Sequence, residues 1–105
     1  MSQDIQVNVT RTTNGVTSTI TSDLSVQLDA MNPMEASYYN GAVPYFTYNC
    51  YLLTNELDIR FGDLMTDTTR VDPITATNYR YRVISYPEPF PDGHTELVAE
   101  QVRGT

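Results

Sequence analysis

The sequence predicts an all-β fold: a small antiparallel β-barrel or sandwich of about six or seven strands with one long loop. Three observations lead to this prediction. Only 18% of the 105 residues are charged, and Tyr supplies eight of the eleven aromatic residues, a composition typical of β-rich domains. Apolar and polar residues alternate in several short segments. Turn residues separate these segments, and the length suits a single domain over residues 1–105.

The first thirty residues predict two strands joined by a tight turn. Alternation of apolar and polar side chains over residues 5–10 indicates a half-buried strand. Asn14-Gly15 is a hairpin signal, because both residues tolerate a positive φ angle. Apolar residues at even positions of residues 16–28 predict the second strand. A short helix over residues 24–31 remains an alternative, because its apolar residues also share one helical face.

The middle of the chain predicts a long loop and then two strands. Pro33, Asn40-Gly41 and Pro44 interrupt the pattern, so residues 30–44 are predicted to form the loop. Residues 45–53 are apolar and aromatic on both faces, as in a central strand covered on both sides. Residues 57–61 alternate and predict a further strand, which is followed by a bulge or turn at Gly62-Asp63.

The last third predicts a loop, a strand, a proline-rich turn and a final strand. Residues 67–77 are polar and contain Asp72-Pro73, which predicts a loop. Tyr and Arg alternate over residues 79–84, which predicts a strand. Three prolines over residues 87–91 cannot donate hydrogen bonds to a neighbouring strand and therefore end it. Residues 97–102 are predicted to form the last strand.

The charge balance disfavours two classes of partner. Six basic and thirteen acidic residues give a net charge of −7, and such a surface repels both nucleic-acid phosphates and anionic membranes. All six basic residues are arginines, which suit protein interfaces, although a compositional habit of the genome would also explain them. The sequence shows neither a signal peptide nor an apolar run long enough to span a bilayer, so the expected location is the cytoplasm or a particle assembled there.

The residues predict no catalytic, cofactor-binding or metal site. Cys50 is the single cysteine and His94 the single histidine, and a nucleophilic Cys–His pair also needs an orienting third group. The acidic residues lack the spacing of a calcium loop, and no glycine-rich phosphate cradle precedes a helix. We therefore expect a non-enzymatic protein without a cofactor.

Several segments carry a resemblance to a known family. Residues 38–44 form a short turn before the Tyr- and Leu-rich residues 48–53. Residues 57–63 end in Gly-Asp, and residues 79–83 and 89–97 form a strand–turn–strand pattern around Asp-Gly-His. In this order and spacing they resemble the tailed-phage head-completion proteins, which are also called head–tail connector, stopper or head-closure proteins.

The resemblance implies a function in the virion. It implies a small β-barrel, copies of which form an oligomeric ring below the portal and its adaptor at the phage neck. The ring would close the DNA exit and dock the tail, so the partners would be portal, adaptor and tail proteins. DNA would pass without sequence-specific binding, and no membrane would be involved. The chain would be assembled in the host cytoplasm and lie at the head–tail interface.

The resemblance also suggests site residues and leaves alternatives. The candidate gating or inter-subunit loop contains Met31, Asn32, Met34, Tyr38 and Tyr39. The candidate interface contains Arg80, Arg82, His94 and Glu96, since arginine-bearing strand faces would pair with acidic neighbours around a ring. The alternatives are a tail-completion or capsid-decoration protein, or a soluble binding module unrelated to phage.

Overall fold

Every regular element that the structure describes is a β-strand. The computed structural model describes residues 2–30, 47–54, 57–74 and 76–102. The strands are β1 (Ser2–Thr13), β2 (Val16–Ala30), β3 (Thr47–Leu52), β4 (Leu64–Asp72), β5 (Thr77–Val83), β6 (Glu88–Pro89) and β7 (Thr95–Val102). The prediction of an all-β fold with about six or seven strands is confirmed. The alternative helix from residue 24 onward is wrong within the described residues, because β2 continues through Ala30.

The strands form one antiparallel sheet that closes on itself. The hydrogen-bonded order is β3-β2-β1-β4-β5-β7-β6, and an additional pairing joins β3 to β7. Six strands therefore form a closed ring, and the two-residue β6 pairs with β7 outside that ring. Closure pairs most strand edges, which removes them as sites of uncontrolled association. The predicted strands over residues 45–53, 79–84 and 97–102 are present as β3, β5 and β7.

The ring encloses one apolar core. In the parts of β1, β4 and β5 that line the ring, buried and more exposed side chains alternate, as the two-residue period of a strand requires. Three inward residues from neighbouring strands, Val9, Met65 and Tyr81, lie in register at its centre. The core consists of Ile5, Val7, Val9, Val26, Leu28, Cys50, Leu52, Ile59, Met65, Tyr81, Val83, Leu97 and Ala99. Burial raises the pKa of the Cys50 thiol well above its ordinary range, so this side chain acts as a small apolar group.

The β1–β2 hairpin extends beyond the ring. Asn14 and Gly15 form its turn with φ angles of 52° and 79°, as the sequence predicted. Strand β4 pairs with β1 only from Val7 to Thr10, so past Thr10 the hairpin is a two-stranded ribbon. Residues 12–19 are all exposed. We call these residues the β1–β2 arm.

The strand predicted over residues 57–61 is wrong. Residues 57–63 contain no strand, although Ile59 is buried and Leu57 packs against the core. Phe61, which the alternation assigned to the buried face, is 55% exposed. The segment's backbone bonds to side chains, within a turn and, at Gly62 and Asp63, to the backbone of Val83 at the end of β5. The Asp63 carboxylate accepts a hydrogen bond from the Arg60 amide, and the Asp63 amide donates to the Arg60 carbonyl.

The loop predicted over residues 67–77 is also wrong for most of its length. Strand β4 continues through Asp72 and β5 begins at Thr77, so only a short turn remains between them. The polar composition was misleading because Asp67 points inward and is fully buried, with Arg70 as its partner. The predicted loop over residues 30–44, with Met31, Asn32, Met34, Tyr38 and Tyr39, lies outside the described residues apart from Ala30.

Candidate interaction surfaces

A buried ion pair anchors the base of the β1–β2 arm. Arg11 donates from Nε and Nη2 to the two carboxylate oxygens of Asp63, at 2.8 Å each. Its Nη2 also donates to the Asp58 carbonyl at 2.6 Å. Asp63 is 1% exposed, and its hydrogen bonds raise the pKa of the Arg11 guanidinium. This bidentate geometry ties the arm to the segment that precedes β4.

A second buried carboxylate shapes a bulge in β4. Asp67 is fully buried and accepts hydrogen bonds from the Thr69 amide at 2.9 Å and from Arg70 Nε at 2.6 Å. Arg70 also donates to the Tyr81 hydroxyl at 3.2 Å and lies over the Tyr79 ring. Burial acts to raise the pKa of Asp67, but the bonds from Thr69 and Arg70 outweigh it and lower that pKa. Burial also raises the pKa of Tyr81 to about 12.

An exposed patch of two aromatic rings and an arginine lies where β4 begins and β5 ends. Phe61 is 55% and Tyr86 is 84% exposed, and their ring centroids are 5.4 Å apart. Arg82 is also exposed and donates at 3.0 Å to the carbonyl of Gly62, the residue that follows Phe61. Among the described residues, Arg82 has no carboxylate partner within ion-pair distance. We call Phe61, Arg82 and Tyr86 the aromatic–arginine patch.

The four predicted interface residues form two separate groups, one at the start of β7 and one on the neighbouring β5. His94 Nε2 and Glu96 Oε2 are 2.8 Å apart, so the structure brings this pair together. Arg80 and Arg82 are at outward positions of β5 instead, and Arg82 lies opposite Glu100 in register. Glu96, in the first group, and Glu100, which lies opposite Arg82 of the second, are four residues apart along β7.

The His94 group is a compact surface cluster. Besides Glu96, the imidazole bonds the Asp92 carboxylate through Nδ1 and stacks on Phe90 with 4.5 Å between ring centroids. The neighbouring Glu96 and Asp92 carboxylates raise the pKa of His94 above its ordinary value. Within the part of the chain that the structure describes, no three His, Cys, Asp or Glu side chains are placed to hold a metal ion.

A cleft of about 680 Å³ lies on a different side of the ring. Asp4, Gln27 and Tyr51 are in register across β1, β2 and β3 and line it. Leu53, which is 86% exposed, and Arg70 also line it. Asp4 has no ion pair with any residue that the structure describes. The cleft thus combines apolar surface with a carboxylate that lacks a cationic partner.

Sequence reasoning missed both buried ion pairs, the patch and the cleft. Asp67 and Arg70 are three residues apart, so their spacing was a usable local signal, similar to a side chain capping a turn. Arg11 and Asp63 are 52 residues apart, and nothing in either local sequence indicates their contact. Phe61 was assigned to a strand, which concealed its exposure.

Comparison with known proteins gives a likeness of fold. No protein-family model and no curated protein matches the chain. The solution structure of protein SF1141 from Shigella flexneri 2a is similar, with a TM-score of 0.56 and 14% sequence identity. The likeness covers 97% of this chain and 96% of that chain. No helix among the described residues is long and apolar enough to cross a membrane. The chain thus shares its fold with SF1141 along nearly the whole length of both.

Proposed function

We propose that this chain is a structural subunit of the tailed-phage neck. Copies form a ring below the portal and adaptor, close the DNA exit and dock the tail. The proposal includes the location in the virion and the absence of enzymatic activity. The observation that carries it is the β1–β2 arm, since a ribbon that leaves the closed ring contributes little to the core and is well placed to reach a neighbouring protein.

The chemistry of the arm favours pairing with another chain. Charged side chains and prolines usually protect an exposed strand edge from pairing with another chain. Residues 12–22 contain neither. An isolated two-stranded ribbon is only marginally stable, yet Arg11 anchors this one to the buried Asp63. Unpaired backbone groups along such a ribbon can accept an extended segment of a partner.

The charge of the chain is compatible with a DNA conduit. A net charge of −7 gives a surface that does not hold a passing duplex. The sequence resemblance over residues 79–97 supports the same proposal, because it includes β5 and the Asp92-Gly93 turn before β7. The plug assigned to the loop with Met31 and Tyr39 stays a prediction. Deleting that loop should release DNA from filled heads or abolish docking of the ring.

Quantitative mass spectrometry of purified particles tests the proposed function. We expect one ring of copies per particle, on the order of ten under closed cyclic symmetry. Hundreds of copies per particle would instead support a capsid-decoration or tail protein. Absence from particles would exclude both virion functions and favour a soluble binding module.

A shortened arm tests the observation that carries the proposal. Arg11 pairs with Ser18, so deleting Thr12-Thr13 and Val16-Thr17 leaves the Asn14-Gly15 turn between paired residues. Phage that carry this variant should fill their heads but yield few tailed, infectious particles. Replacing Val16 with Thr keeps the length and serves as the control. Normal yield from the shortened arm would show that the arm has no role in docking.

A further inference from the structure

We propose that the aromatic–arginine patch of one copy docks into the Asp4 cleft of a second copy. The inference rests on the proposed function in one respect, which is that the chain assembles with copies of itself. It assigns the contact to two surfaces that the β1–β2 arm does not include. The partner is a second copy because this chain supplies both complementary surfaces.

The patch has the composition of an interface centre. Aromatic residues and arginine are enriched in protein interfaces and among the residues that contribute most to binding. Phe61 and Tyr86 contact each other while remaining 55% and 84% exposed, so a partner could still cover most of their area. Arg82 is held at the residue after Phe61 by its bond to the Gly62 carbonyl, and it has no ion pair with a carboxylate among the described residues. The exposed area of these three side chains is therefore available to a partner.

The cleft is complementary to the patch in shape and charge. Its volume of about 680 Å³ can admit an aromatic side chain, and Tyr51 and Leu53 offer apolar contact. Arg70 lines the cleft, but its charge is compensated by Asp67 at 2.6 Å. Asp4 has no such compensation from the described residues, so the cleft presents net negative charge to the cationic patch.

The positions of the two surfaces determine the type of assembly. Arg82 is on β5 and Gln27 of the cleft is on β2, and two strands separate β5 from β2 in either direction around the ring. The patch and the cleft therefore lie on different sides of one copy. A contact between two different surfaces is heterologous, and its repetition produces a closed ring or a filament.

Charge reversal on each surface tests the contact. Purified wild-type chain should associate in sedimentation velocity as its concentration is raised to about 1 mM, where weak contacts become populated. Arg82→Glu and Asp4→Arg should each weaken association at least about tenfold, because like charges would then meet. An equimolar mixture of the two variants should associate again, since the reversed patch of one fits the reversed cleft of the other.

Controls separate the contact from folding and from net charge. Ile74 is 72% exposed between β4 and β5 and lies outside both surfaces and the β1–β2 arm, so Ile74→Glu and Ile74→Arg should associate like the wild type. Tyr86→Ser changes a side chain that is 84% exposed, so the variant should fold normally and still weaken association. Circular dichroism verifies the fold of each variant.

Three outcomes would overturn the inference: a wild type that stays monomeric, reversals without effect, or a mixture that does not regain association. Particle composition is measured separately from these outcomes. One ring per particle together with a monomeric free chain would retain the neck function and reject this contact. If the purified chain associates through this contact but the chain is absent from phage particles, the contact is retained and the neck function is rejected.

Discussion

Asp63 and Asp67 are four residues apart, and each is buried and pairs with an arginine. The two pairs nevertheless stabilise different parts of the structure. Asp63 pairs with Arg11, which is 52 residues away, and so joins the β1–β2 arm to the segment before β4. Asp67 pairs with Arg70, three residues away, and so bends its own strand. A contact distant in sequence stabilises tertiary structure, whereas a local contact shapes one element.

The two pairs also differ in their access to water. The side chain of Arg11 is 20% exposed and that of Arg70 is 37% exposed. Water therefore solvates Arg70 better if its partner is removed. The cost of leaving a charge unpaired rises with its burial, so the loss of Asp63 should be more harmful than the loss of Asp67.

The largest effect is expected from Asp63→Asn. The change removes the buried bidentate partner of Arg11 and leaves it only the exposed Asp58 carboxylate at 3.7 Å. We expect the free energy of unfolding to fall by about 2–4 kcal/mol. Urea denaturation measures the loss. Hydrogen exchange should show faster opening at residues 11–13 than in the centre of the ring, because the arm loses its anchor. Asp58→Asn removes the exposed partner of Arg11 and should change little. Equal losses in both variants would contradict the role of Asp63.

A smaller effect is expected from Asp67→Asn. The amide oxygen can still accept the hydrogen bond from Thr69, while the ion pair to Arg70 is lost. We expect the free energy of unfolding at neutral pH to fall by about 1–3 kcal/mol. The faster hydrogen exchange should be confined to the bulge around Thr69. Loss of protection along the arm would contradict the local role assigned to this pair.

The same variant has a predicted pH dependence. The folded-state pKa of Asp67 is lowered, because hydrogen bonds from Thr69 and Arg70 outweigh burial. A lowered pKa contributes stability above the unfolded-state value, which is near 3.8, and this contribution is lost as pH falls through the folded-state pKa. Wild-type stability should therefore decline more steeply than that of Asp67→Asn as the pH is lowered past about 4 in urea denaturation.

The smallest effect on stability is expected at the surface cluster of His94, Asp92 and Glu96. Glu96 and Asp92 raise the pKa of His94, so its stabilising contribution is present below the unfolded-state value and is lost as pH rises through the folded-state pKa. Glu96→Gln should lower the His94 pKa in an NMR titration and leave the midpoint of urea denaturation unchanged. Asp23→Asn, at a carboxylate outside this cluster, should leave the titration unaltered. An unshifted His94 pKa in Glu96→Gln would contradict the contact.

Prediction from the sequence succeeded where the signal was local. The alternation over residues 5–10 and the Asn14-Gly15 turn appear in the structure as predicted, because strand period and turn conformation depend on adjacent residues. It failed in two places. The alternating residues 57–61 do not form a strand, and much of the polar run over residues 67–77, predicted as a loop, is strand. Both failures lie beside a buried aspartate whose partner decides the local structure.

The candidate surfaces were predictable only in part. His94 and Glu96 are two residues apart, and the structure places them in contact where β7 begins. The predicted alternation over residues 79–84 appears in β5, but the contact of Arg82 with Gly62 and that of Phe61 with Tyr86 depend on how segments far apart in sequence meet. The cleft has residues from four strands, so no single segment could reveal it.

By itself, the sequence determined the β class, the hairpin turn and the acidic charge, because these follow from composition and from neighbours along the chain. Only the tertiary structure decided the closure of β3 onto β7, the burial of Asp63 and Asp67 and the exposure of Phe61. The physical reason is that the cost of burying a carboxylate depends on an arginine that the fold must first bring to it.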